Sequence, residues 1–239
     1  AMIVPFVLFG RAHVTAIALA FAAPALLAAA MRWTASPRLA RLLRWLFAGE
    51  LIATYALWYW LLYARGWESV GNVLPMHLCD WAAIAATITL LRPNRRTYEL
   101  SYFWALSATL QATLTPQLAY GWPDLRFVVF FGFHCGVIAS VLYMTFAEGM
   151  RPYPSSIPRV VAWTLLYAAA AGTVDWLFGV NFGFLRAKSV DPSVLDYLAP
   201  WPWYIAELIP IGAAFILILY APFFLYDLLR PRAQRTETA

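Results

Sequence analysis

His77 and Asp80 stand three residues apart, so on a helix they share a face, where a carboxylate can hold one imidazole nitrogen and fix the ring's tautomer. A general base or a metal ligand needs that kind of support. His134 has no acid within a turn of it in sequence, and Asp175 and Glu207 follow later, each inside an otherwise apolar stretch. Gln111 lies between Ser107 and Thr115 at spacings of four, a polar stripe along one helix face. Glu50 and Glu99 are two further acids in apolar surroundings.

The elements that carry these groups follow from composition. The 239-residue chain is 63% hydrophobic and 12% charged, whereas a soluble domain has about 25% charged residues. This composition belongs to a membrane protein and excludes both disorder and a disulfide scaffold. The net charge of +5 is what topology alone asks of a polytopic protein, so membrane lipids are the expected partners and nucleic acid is not. Oligomeric state is not legible.

Apolar stretches of about 20 residues, enough to cross roughly 30 Å of hydrocarbon, occur at 12–30, 45–63, 75–91, 97–115, 126–147, 159–180 and 204–226. Only a helical bundle satisfies every backbone polar group over spans this long. The expected fold is all-α: one domain over 1–239, a seven-transmembrane-helix bundle. Ala28-Ala29-Ala30 resembles a signal-peptide cleavage site, but the arginines follow the apolar run and do not precede it, so the first span is read as retained.

Orientation follows from the basic residues. Arg32, Arg38, Arg41, Arg44, Arg92, Arg95, Arg96, Arg151, Arg159, Arg230, Arg232 and Arg235 fall on one side, and Arg11, Arg65, Arg126, Arg186 and Lys188 on the other. By the positive-inside rule the N-terminus is outside and the C-terminus cytoplasmic, in a multi-pass protein of the cell membrane.

With that topology the polar groups form a layer. His77, Asp80, His134, Gln111, Asp175 and Glu207 come from five helices and converge on the outer leaflet, whereas Glu50 and Glu99 fall within a turn or two of the cytoplasmic end and read as structural. An ionisable side chain at the bilayer centre costs about 2.5–3.5 kcal/mol even on insertion scales, which makes each one a functional hypothesis. The competing account is a set of hydrogen bonds locking helices together.

Other chemistries are constrained. Cys79 and Cys135 do not share a helix face with His77 or His134. A zinc site would draw on His77, His134 and Asp80 with His13, yet no HxxxH or CxxC spacing supports one, so no metal and no cofactor is expected. Lys188 is the only lysine and lies in an outer loop, which excludes a retinal Schiff base inside a span. Neither a phosphate-binding loop nor a dinucleotide fingerprint is present. The last outer connection runs from Asn181 through Asp191-Pro192 to Pro200-Trp201-Pro202-Trp203-Tyr204, just above Glu207. Its aromatics suit an interfacial anchor and equally a lid over an outer-leaflet cavity.

Four segments carry a family resemblance: Leu74-Pro75-Met76-His77-Leu78-Cys79-Asp80; Glu99-Leu100-Ser101-Tyr102-Phe103-Trp104 with Thr115-Pro116; Phe130-Phe131-Gly132-Phe133-His134; and Pro200-Trp201-Pro202-Trp203-Tyr204. Together, over about residues 45–226, they resemble the YwaF-type bacterial integral membrane family, which is related to the eukaryotic transmembrane protein 164 group. That resemblance implies seven spans and an acyltransferase activity that moves polyunsaturated acyl chains onto ether phospholipids. His77 and His134 match histidines of the group. Met76 stands where the eukaryotic proteins carry the cysteine of Pro-Cys-His, the proposed acyl-accepting nucleophile, and a thioether cannot do that chemistry. Cys79 can substitute only if span 3 starts irregularly.

The leading expectation is therefore a membrane-embedded lipid-modifying enzyme, an acyltransferase or lipid ester hydrolase. His77 and His134 would transfer protons, Asp80 would orient His77, and Gln111 with Asn181 would steady an oxyanion. Asp175, Trp203, Tyr204 and Glu207 would line the substrate site. The alternatives are a proton-coupled transporter or solute-binding protein, and a non-catalytic membrane partner.

Overall fold

The computed structural model describes residues 4–189 and 193–229; Asp191-Pro192 and the arginines at 230, 232 and 235 lie outside the described residues. The described residues are 76% helical, and the one extended pairing among them is an isolated bridge between Pro5 and Tyr120. The all-α expectation holds. The helices are α1 (Arg11–Thr34), α2 (Pro37–Arg65), α3 (Val70–Val73), α4 (Leu78–Leu91), α5 (Arg95–Trp104), α6 (Leu110–Leu114), α7 (Leu125–Phe146), α8 (Ser156–Phe178) and α9 (Trp203–Leu229).

Six of the passes are long and apolar enough to span a membrane, with Val70–Leu91 counted as one pass. The seventh is broken: α5 runs into a π turn at Ala105–Thr109 and continues as α6. Neither α5 nor α6 is long enough to cross by itself, but with the π turn between them they run from Arg95 to Leu114, close to the apolar stretch 97–115.

Local sequence sets the ends. Ser36 accepts from the Leu39 N–H with Pro37 at the first helical position, a combination that starts helices because proline's missing N–H costs nothing there. Asn94 caps α5 and Asp124 caps α7 in the same way. α2 thus begins eight residues before the apolar stretch that marks it in sequence, because Arg38, Arg41 and Arg44 are helix formers that a hydropathy count discards.

α7 is the central helix. In it 67% of the apolar stretch is buried inside the protein, against 6% in α9, and it packs against α1, α2, α4 and α6. It is apolar on every side, as a helix surrounded by other helices must be. Hydrogen bonds from α5 tie α8 and α9 to the bundle: Trp104 donates to the Thr164 hydroxyl (2.9 Å) and Tyr102 to the Leu219 carbonyl (3.0 Å). Such bonds between helices average about 0.6 kcal/mol in a membrane. At the arginine-rich end Glu99, 1% exposed, is held by Arg95 (2.8 Å) and by Arg159 on α8 (2.8 Å), which bears out its structural reading.

Candidate functional site

The site starts where α4 fails to start. α3 ends at Val73, Pro75 forbids a continuous helix through Leu74, and α4 begins only at Leu78, with His77 in an extended conformation at its N-cap. The spacing of three between His77 and Asp80 is therefore a capping spacing and not a shared helix face. The Asp80 carboxyl accepts from the backbone N–H of His77 (2.9 Å) and from the Tyr55 hydroxyl of α2 (3.1 Å). This corrects the expected pairing: Asp80 holds the backbone of His77, not its ring. Tyr59, one turn on, donates to the Val73 carbonyl (2.6 Å), so two tyrosines of α2 fix the break.

The His77 ring is left at the surface, edge-on to Phe182 with centroids 5.0 Å apart. His134 lies on α7, directly after Phe133, with the two ring centroids 5.1 Å apart. Its Nδ1 lies 2.8 Å from the Phe130 carbonyl. A carbonyl only accepts, so Nδ1 carries the proton, and in the neutral ring Nε2 keeps its lone pair. His134 also stacks on Phe130 at 4.1 Å, which fixes the ring plane.

Beside Asp80 and Tyr55 lies a cleft of about 400 Å³ between α2 and α4, floored by Phe133 of α7. Tyr55 and Asp80 line its polar end, and Leu51, Ala83, Ile84, Thr87 and Ile88 continue it toward the middle of the helices. Ile52, Ile84 and Ile88 are 53%, 49% and 45% exposed, so the cleft opens sideways, where lipid would be. From Asp80 to Ile88 it runs about 12 Å along α4.

The other expected residues divide. Asp175, 2% exposed, accepts from the Phe182 N–H (2.7 Å) and so sets the loop residue that packs on His77. Tyr204, fully buried, hydrogen-bonds the Phe184 carbonyl, and Glu207 accepts from the Ala199 N–H (2.9 Å). These three hold the loop between α8 and α9 in place. Asn181 does not stand ready for an oxyanion: its side-chain oxygen accepts from the N–H groups of Arg186 and Ala187 and its nitrogen donates to the Ala187 carbonyl (2.9 Å). An asparagine in a tight loop serves its own backbone first. Trp203 is 67% exposed, in keeping with an anchor. The exposed Gln111 side chain makes no hydrogen bond among the described residues, so nothing ties it to the cluster.

Several residues were missed. Tyr55 and Tyr59 are two of them: they lie inside the apolar stretch 45–63, and nothing in their spacing marked them. Cys79 points into the bundle beside Thr109, the last residue of the π turn, with Tyr167 of α8 nearby. A π turn re-aims the side chains after it and recurs at functional sites, and no sequence signal announced it. Glu50 is corrected: it lies about 20 Å into α2, level with Gly132 and Gly136 at mid-height of α7, and its hydrogen bond comes from Thr54 (3.1 Å) and not from an arginine. His13, 1% exposed, is spent on structure, with Nδ1 accepting from the Phe9 N–H (2.9 Å) and Nε2 donating to the Thr113 carbonyl (2.8 Å). No group of three potential ligands that could hold a metal occurs among the described residues.

Comparison with known proteins agrees with this architecture. An uncharacterised protein of Treponema pallidum (strain Nichols) is 27% identical over 163 residues, covering 68% of this chain and 66% of that protein. The chain thus spans just under two thirds of that relative's length. No solved structure matches. The model of the TMEM164 family matches residues 8–220, from the first helix through most of the last, and the chain is a multi-pass membrane protein belonging to the TMEM164 family.

Proposed function

We propose that the protein is a membrane-embedded lipid-modifying enzyme that acts on the acyl ester of a phospholipid, with His134 and His77 as its proton-transfer groups. The observation that carries this reading is the sideways-open apolar cleft that ends at Tyr55 and at Asp80, the residue that holds the His77 backbone. Its volume falls in the range of small-molecule sites, about 300–1,000 Å³. A chain lying along α4 from Ile88 toward Asp80 brings its ester to the polar end. Family membership and the expected acyl chemistry point the same way.

In this mechanism the unprotonated Nε2 of His134 takes the proton of the attacking group while His77, at the surface end, protonates the departing lysolipid oxygen. With water as the attacking group, the carbonyl carbon gains the water oxygen, the ester C–O bond breaks, and free fatty acid and lysolipid result. Transfer to a second lipid follows the same course with its hydroxyl in place of water. Met76 offers no nucleophile, and Cys79 faces Thr109 inside the bundle. Asp80 and Tyr55, at the polar end of the cleft, hold the start of α4 that carries His77.

The test is turnover of a mass-tagged phospholipid in proteoliposomes. His134→Ala lowers turnover by about 10²-fold or more, the usual contribution of a general base, while the protein still inserts and purifies. Wild-type turnover in that variant overturns the proposal.

A further inference from the structure

At the arginine-rich end, about 24 Å along α8 from Asp175, a second concavity of about 510 Å³ is lined by Pro93, Asn94, Arg95, Arg96 and Arg159. Its charge is out of balance. Arg95 and Arg159 share the buried Glu99, so three guanidinium groups face one carboxylate. The other acids described at this end are taken: Glu148 pairs with Arg44 (3.2 Å) and Asp227 with Arg151 (2.8 Å). Arg96 makes no ion pair among the described residues.

The hollow is also preformed. Arg95 is held by Glu99, by the Ser155 hydroxyl (3.1 Å) and by the Tyr153 ring 3.8 Å from its guanidinium carbon. Arg159 grips Glu99 through two nitrogens. Guanidinium forks match phosphate oxygens in pairs, and basic pockets between helices at a membrane boundary suit anionic headgroups. We propose that this hollow binds a phosphate group, that of an anionic phospholipid headgroup or of a free phosphate-bearing solute, with Arg96 as the exposed arginine that closes on it.

The experiment uses the full-length protein in nanodiscs and in detergent. Native mass spectrometry counts retained phosphatidylglycerol against phosphatidylcholine, and radiolabelled inorganic phosphate is tested without lipid. Phosphatidylglycerol is expected to be retained in preference, and Arg96→Gln to weaken it by about fivefold, the effect of one basic residue at a charged surface. Arg96→Glu weakens it further, and Arg96→Lys recovers part. Loss of retained phosphatidylglycerol with Arg96→Gln identifies a headgroup; phosphate binding lost in the same variant identifies a free solute as the source. Arg96 is exposed, so an unchanged melting temperature is the control for folding. Equal retention of both lipids, or phosphate binding and lipid retention indifferent to Arg96→Gln and Arg96→Glu, overturns the proposal.

Discussion

Asp80→Ala removes one carboxyl that serves two helices, and the cost can be worked from the two bonds it accepts. The His77 N–H at 2.9 Å is a helix cap, worth about 1 kcal/mol. The Tyr55 hydroxyl at 3.1 Å loses an acceptor in apolar surroundings, worth about 1–3 kcal/mol. Together the loss is about 3 kcal/mol, which for a chain of this size lowers the melting temperature by about 6–12 °C. Asp80→Asn keeps an acceptor oxygen and costs about 1 kcal/mol. Tyr55→Phe breaks only the bond between α2 and α4. Thermal unfolding of the four proteins in one detergent, with the Tyr55→Phe/Asp80→Ala double variant, completes a cycle. The cost of the double variant falls short of the sum of the two single costs by about 1 kcal/mol or more. Additive losses, or an Asp80→Ala variant that melts within 2 °C of wild type, refute the assignment of Asp80 as the clamp at the start of α4; the 2 °C limit is under about 1 kcal/mol.

Three further outcomes follow. A Cβ at Gly136 collides with the Glu50 carboxylate, so Gly136→Ala destabilises by about 1–3 kcal/mol, and Glu50→Ala in the same chain recovers most of that loss in a melting assay. Gly183 has φ +61° and its Cβ would lie 2.6 Å from the Tyr167 hydroxyl; Gly183→Ala displaces the loop on His77 and lowers turnover, read against melting temperature, and Tyr167→Phe relieves it only in part because the backbone strain stays. The Arg126 guanidinium beside Asp124 holds its carboxyl at about 2, below the ordinary 3.8. A folded value below the unfolded one gives stability that is present above pH 4 and is lost as pH falls from about 4 to 2, and Asp124→Asn flattens that part of the pH–stability curve.

Span number and fold class were legible because a helix in lipid needs a fixed length of apolar chain, and seven such lengths are present. The depth of Glu50 was not, because the first two turns of α2 are rich in arginine and fall outside any apolar count. The role of Asp80 was hidden by an ambiguity of spacing: three residues describe both a helix face and a capping pair, and only Pro75, which delays α4, decides between them. Tyr55, Tyr59 and the π turn at Ala105–Thr109 were beyond reach, since their importance comes from neighbours distant in sequence. Asn181 shows the reverse error, a polar group that looked available and is consumed by its own loop.

The central claim is that an acyl chain lies between α2 and α4 with its ester at the histidines. The most direct measurement is photolabelling in proteoliposomes with a phospholipid bearing a diazirine on its acyl chain, the adducts mapped by peptide mass spectrometry. Labelling concentrated on Leu51–Tyr59 of α2 and Ala83–Ile88 of α4, and lost in Ala83→Trp, is the predicted result. Labelling spread evenly over the exposed faces of α1, α8 and α9 and unchanged in Ala83→Trp contradicts it.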